Sequence, residues 1–249
     1  MKTNEYNYKH FGLKYYAFEG FFEGPRIGTP APDFTATTLD KKTMRLSDLR
    51  GKIVVLESGS LTCPLTTGAT GDMQELVRKY PDIVFLLLYV REAHPGNKRP
   101  AQISFEDKIS CAKRFQEEEH DNRIIIVDDL EGGIHKQYGL VPTFVYVIDP
   151  NGHIAWRNML NVPNRLDEVL TVLRENPKTQ FSGERTLPNF DIKHFGFRSL
   201  KTAGWRAIID VIIELISHPR VAFMRRRLIR KLAADSEKNK NVAQNGKIR

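Results

Sequence analysis

The chain has 249 residues, 41% of them hydrophobic, and a formal net charge of +8. That is enough apolar material for one sizeable core with an appendage, while two cysteines are too few for a disulfide framework of the secreted kind. No charge-free run reaches the length of a membrane span, and the opening "MKTNEYNYKHFGLKYY" lacks the apolar stretch of a signal peptide, so a soluble cytoplasmic protein is expected.

Residues 1–31 read as an aromatic-rich N-terminal extension. From Ile27, "IGTPAPDFTATTLDKKTMRLSDLRGK" reads as an extended approach, a hairpin around Asp40-Lys41 and a turn at Arg50-Gly51. "IVVLES" is a short β-branched run, the signature of a buried strand, and the helical spacing of Met73, Leu76, Val77 and Tyr80 follows it. "DIVFLLLYV" suits a central strand covered on both faces. After the loop "EAHPGNKRPAQ", Phe105, Ile109, Ala112 and Phe115 recur at helical spacing behind a capping Ser104. Strand "RIIIVDD", a short helix near "GIHKQYG" with Asp128 and Asp129 as its caps, strand "TFVYVID", turn "PNGH", strand "IAWRN" and helix "RLDEVLTVLREN" complete residues 32–176.

The core order is therefore βαβαβαββα. Strands separated by helices call for parallel pairing with right-handed crossovers, and the hairpin across Pro150-Asn151-Gly152 adds an antiparallel pair. This predicts an α/β, thioredoxin-like fold: a central mixed sheet with flanking helices. In that plan Pro142 of "VPT" stands before the hairpin, where a cis-proline is expected against the site.

Cys63, in "SGSLTCPLT", then lies between a strand end and a helix beginning near Leu65 or Thr66. The helix amides and dipole favour a thiolate there, partly exposed at the carboxyl edge of the sheet. Thr66 takes the place of a second cysteine, so a vicinal dithiol is excluded and a one-thiol nucleophile remains. Ser60 or Thr66 is positioned to donate a hydrogen bond to that thiolate or to cap the helix. "YVREAHPG" leaves the next strand at the same edge, which brings His94 toward the nucleophile as proton donor, with Glu92 to raise its pKa or orient its ring.

"GSLTCP", then "FLLLYVREAHPG", then "SFEDKISCA", together resemble the iodothyronine deiodinases, thioredoxin-fold reductive dehalogenases that carry selenocysteine. The resemblance runs from about Ile53 to Leu173. It implies that Cys63 replaces the selenocysteine, that Tyr89, Glu92 and His94 serve proton delivery and substrate contact with Thr62 in support, and that Cys111 helps regenerate the oxidised nucleophile. It also implies a small halogenated aromatic substrate and an external thiol or thioredoxin-type reductant, with no bound cofactor. Leu61 and Leu65 stand where that family has a cysteine and a proline, and Gln102 and Leu160 fall near the places of its hormone-clamping basic residues. "GTPAPDF" and "VPT" are more similar to bacterial redoxins and peroxiredoxins, which suggests a bacterial, deiodinase-like redoxin.

Two other readings stay open. Ser60, Cys63 and Thr66 also resemble the spacing of thiol peroxidases, in which Cys111 would resolve a sulfenic acid. Cys111 equally suits core packing, since it sits among the apolar positions of its helix. A non-catalytic redox sensor or membrane-tethered binding protein is the third. His10, His120, His135, His153 and His194 show no metal-ligand spacing, so no metal is expected.

The excess charge is confined to one end. From Lys193 on there are 14 Lys and Arg against 4 Asp and Glu, and before it 24 against 26. After a linker over 177–198, residues 199–234 read as two basic amphipathic helices broken at Pro219, with Trp205, Ile208, Ile209, Ile212 and Ile216 on one stripe, followed by a disordered tail over 235–249. Such an extension packs on the sheet, pairs with a second copy in a homodimer, or lies peripherally on an anionic membrane. The body offers no aromatic platform with basic neighbours, which argues against nucleic acid.

Overall fold

The computed structural model describes residues 6–12, 15, 23–141, 143–181 and 196–217. Its strands are β1 Thr35–Thr38, β2 Thr43–Arg45, β3 Val54–Gly59, β4 Val84–Tyr89, β5 Ile124–Val127, β6 Val145–Ile148 and β7 Ile154–Asn158. Its helices are α1 Pro64–Lys79, α2 Phe105–Glu119, α3 Gly133–Gln137, α4 Pro163–Glu175, α5 Phe197–Ala203 and α6 Trp205–Ser217. The strands form one sheet in the order β2-β1-β5-β4-β3-β6-β7. Strands β3, β4 and β5 run parallel, while β6, β7 and the β1-β2 hairpin are antiparallel to their neighbours. This is the thioredoxin-like fold that the order of elements predicts.

Alternation along the central strands builds a core on each face. Val55, Phe85 and Val145 face Met73 and Leu76 of α1 and Leu166 and Val169 of α4, and Leu87, Tyr89 and Ile125 meet Ala112 and Phe115 of α2. On the other face Leu56, Leu86, Leu88 and Ile126 pack with Ile134, Tyr138 and Phe144. The predicted caps are in place: Ser104 Oγ accepts from the Asp107 amide at 3.1 Å. The two carboxylate oxygens of Asp128 accept from the Ile134 and His135 amides at 3.0 Å, and Asp129 from Gly133 at 3.1 Å.

Because β3 and β4 are parallel and in register, with Gly59 beside Tyr89, the loops that follow them leave at one edge. That juxtaposes residues 60–63 with residues 90–96.

The C-terminal extension departs from the expected unbroken first helix. Its first helix is split at Gly204, whose φ of 111° is one that residues with a Cβ rarely adopt. Leu200, Ala203 and Ala207 are buried against the body, whereas Trp205, Ile208, Ile209 and Ile212 are between 39% and 61% exposed. The apolar stripe thus points outward rather than onto the sheet. No described helix is long and apolar enough to cross a membrane. The second basic helix, the tail, and Pro142 with its expected cis bond lie outside the described residues.

Candidate active site

Cys63 is the N-cap residue of α1, with Pro64 opening the helix. Its amide donates to Ser60 O at 3.1 Å and its carbonyl accepts from the Thr67 amide at 3.0 Å. The sulfur is not partly exposed as expected: the residue is 1% accessible. Burial pushes the thiol pKa up, while the Thr66 hydroxyl and the Thr66 and Leu65 amides pull the other way. In this closed arrangement Cys63 is a protonated thiol. The helix terminus is built to hold a thiolate, and desolvation overrides it.

Glu92 is also buried, but its partners are not the expected ones. Oε2 accepts from the Thr62 amide at 2.9 Å and the Thr62 hydroxyl at 2.6 Å. Oε1 accepts from the Tyr89 hydroxyl at 2.5 Å and from Gln102 Nε2 at 3.1 Å. The Tyr89 oxygen in turn accepts from the Leu61 amide at 3.1 Å. Thr62 Oγ closes the circuit by accepting from the His94 amide at 3.0 Å. Glu92 therefore braces the Leu61–Thr62 backbone on one side of Cys63. It neither orients the His94 ring nor raises its pKa, and burial pushes its own carboxyl up.

His94 departs from expectation in the same way. Its Nδ1 is out of contact with water and has no hydrogen-bond partner among the described residues, and burial lowers the ring to about 3. At neutral pH it is an uncharged imidazole, a proton acceptor rather than the imidazolium donor expected from its type. Ser60 does not donate to the sulfur; its Oγ accepts from the Ala93 amide at 3.1 Å, tying the two loops together. A Cβ on Gly59 would come within 2.4 Å of the Thr66 side chain, so the glycine is what lets Thr66 stand beside Cys63.

Cys111 is half-buried on α2, packed beside the Leu87–Tyr89 cluster. Its thiol is pushed up to about 12, by burial first and then by the charge of Glu92. It lies across Glu92 from the Cys63 loop, and both Cys63 and Cys111 are free thiols.

Three features lay beyond the sequence reading. Glu57 on β3 is fully buried and close enough to Cys63 to raise its pKa. It pairs with Arg123, which also holds Asp121 at 2.6 Å, and its Oε1 accepts from Asn161 Nδ2 at 2.9 Å. A carboxylate inside "VVLESG" was the available signal. The second feature is the N-terminal segment. Tyr6 O accepts from Arg91 Nη1 at 2.9 Å, Tyr8 OH donates to Ala93 O at 2.8 Å, and the Phe11 ring covers His94. The third is the placement of α5 and α6. Gly196 donates to Pro64 O at 2.8 Å over the first turn of α1, and Lys98 donates to Ala203 O at 3.0 Å. Both ends of the described chain thus lie against the edge that carries Cys63 and His94.

The chain is 30% identical over 141 residues to thyroxine 5-deiodinase of Sus scrofa, covering 51% of this chain and 46% of that one. Against the Homo sapiens enzyme the identity is 28% over the same length, with the same coverage. The chain spans about half the length of the curated relatives it matches. Among solved structures, a secreted disulfide oxidoreductase of Mycobacterium tuberculosis homologous to E. coli DsbE superposes with a TM-score of 0.46 at 16% identity, over 56% of this chain and 96% of that one. A peroxiredoxin-like protein of Aquifex aeolicus gives a TM-score of 0.46 at 17% identity, over 60% and 88%. The AhpC/TSA family matches residues 27–157, from the approach to β1 through β7. With more than half its length in that match, this thioredoxin-like redox protein belongs to the AhpC/TSA family.

Proposed function

We propose that the protein is a single-cysteine oxidoreductase whose Cys63 reduces a halogenated aromatic compound in a deiodinase-like reaction. The observation that carries this reading is the circuit Tyr89–Glu92–Thr62–His94, which ties to the loop before Cys63 the residues that the deiodinase resemblance singles out. In the closed arrangement the thiol and the imidazole hold one titratable proton between them, and it rests on sulfur. Substrate entry shifts that proton to His94. The thiolate then attacks the halogen in line with its carbon: the S–X bond forms, the C–X bond breaks with its pair on carbon, and the imidazolium protonates that carbon. An external thiol displaces halide from the sulfenyl halide as a mixed disulfide, and a second thiol restores Cys63.

A second reading is favoured by the AhpC/TSA match and by Thr66 at the sulfur: a thiol peroxidase, in which the thiolate takes one oxygen from a peroxide and His94 protonates the departing alkoxide or hydroxide. Purified protein with dithiothreitol, given an iodophenol in one assay and hydrogen peroxide in another, separates the two. Iodide release that is lost in Cys63→Ser supports the dehalogenase. Peroxide consumption without iodide release overturns it in favour of the peroxidase, and activity undiminished in Cys63→Ser removes both.

A further inference from the structure

Beside the loop that carries Cys63, α2 and the segment before it line a cavity of about 80 Å3, with Leu61, Glu92 and Cys111 among its walls. That is room for several water-sized groups. Three cations line it: Lys98, Arg99 and Arg114. Their state is uneven. Arg99 Nη2 is held by both carboxylate oxygens of Glu118 at 2.8 Å, but its Nη1 is out of water with no acceptor. Neither Lys98 nor Arg114 makes an ion pair among the described residues. On the acidic side, Asp107 also lines the cavity, its Oδ2 accepting from the Ile103 amide at 3.1 Å, and both oxygens of Glu92 are occupied by the Thr62, Tyr89 and Gln102 donors.

Two uncommitted cations at the rim would steer an anion inward, and a guanidinium suits the planar pair of oxygens of a carboxylate.

We propose that this cavity is a binding site for small carboxylates, held by Lys98 and Arg114 at its mouth, and that it keeps such ligands against the Cys111 thiol. The site stands whether Cys63 reduces a halide or a peroxide.

Cys111 is its own reporter. In the Cys63→Ser protein, where Cys111 is the sole thiol, alkylation by iodoacetate is compared with alkylation by neutral iodoacetamide. The same thiolate attacks the CH2–I carbon of either reagent and expels iodide, so the rate ratio reads charge recognition and not thiol acidity. The ratio is expected to exceed that of N-acetylcysteine by roughly tenfold, to fall on adding acetate, and to collapse in Lys98→Gln and Arg114→Gln. A ratio equal to that of N-acetylcysteine, or one untouched by either substitution, overturns the site. If Cys111 resists both reagents, 19F line broadening of trifluoroacetate on the wild-type protein decides. Broadening reversed by acetate and absent in Arg114→Gln supports the site, and a sharp line overturns it.

Discussion

The ring of Phe11 lies 4.1 Å, centroid to centroid, from the imidazole of His94, tilted by 35°. Together with the Tyr8 hydroxyl on Ala93 O, it covers one side of the half-buried His94, whose Nδ1 is out of contact with water and has no partner among the described residues. Desolvation is the cause of the low His94 pKa, so admitting water must raise it. In Phe11→Ala the ring is expected to titrate well above about 3, followed by NMR of the imidazole carbons, and Cys63 to alkylate faster. A titration identical to wild type would show that other groups provide the cover.

Thr62 is the joint between Glu92 and the His94 backbone. Thr62→Val keeps its shape but leaves the His94 amide without an acceptor and takes one donor from Glu92. The expected loss is about 1–3 kcal/mol in urea unfolding, with a fall in kcat. Thr62→Ser, which restores the hydroxyl, should recover both. Equal behaviour of the Val and Ser variants would count against the bracing role.

Glu57 couples the core to the nucleophile. Its charge raises the Cys63 pKa, so Glu57→Gln should lower it, measured by ultraviolet titration of the thiolate. The same change takes one of two carboxylates from Arg123, which keeps Asp121 at 2.6 Å; loss of a buried charge-assisted hydrogen bond predicts a destabilisation of about 1–3 kcal/mol. An unchanged Cys63 titration in a folded Glu57→Gln protein would remove Glu57 from the site's electrostatics.

Buried His135 makes stability depend on pH. Its Nε2 meets Val141 O at 2.6 Å, an oxygen that only accepts, so Nε2 carries the proton and Nδ1 accepts from Tyr6 OH at 2.9 Å. Burial holds the folded ring near about 3, against about 6.5 in an unfolded chain. Between those values only the unfolded state takes up the proton, so this group's effect is to lower stability as pH falls from about 6.5 toward about 3. Glu57, Glu92 and Asp128, whose pKa values are raised, act with the opposite sign above the ordinary carboxylate range. The measurement is therefore the difference in Tm between wild type and His135→Gln. That difference should shrink as the medium is acidified from pH about 6.5 to about 4.

Local signals made most of the sheet legible in advance. Apolar runs such as "FLLLY" end at turn residues, Ser104 announces its helix, and parallel strands must deliver Cys63 and His94 to one edge. What covers that edge was not legible, because the covering contacts join residues far apart and leave no periodic trace: Tyr8 to Ala93 across 85 positions, Tyr6 to His135 across 129. The expectations for Cys63 and His94 failed for the same reason, since residue type and helix position speak for a thiolate and an imidazolium, while burial is decided by the cover. The break at Gly204 falls just before the stripe that begins at Trp205, so the periodicity after it carries no sign of it. Glu57 was visible as an odd carboxylate in a strand, but its partner Arg123 stands 66 positions away.

His10 meets Asp210 at 3.3 Å across 200 positions, whereas Thr62 and Glu92 are only 30 apart. Closing the shorter loop costs less chain entropy, and contacts of such long range form late. A chain emerging from the ribosome therefore assembles the Thr62–Glu92 circuit before residues 196–217 exist to cover it. Until then the first turn of α1 lacks the Gly196 contact on Pro64 O, and a chain caught at that stage is expected to be alkylated at Cys63 faster than the finished one.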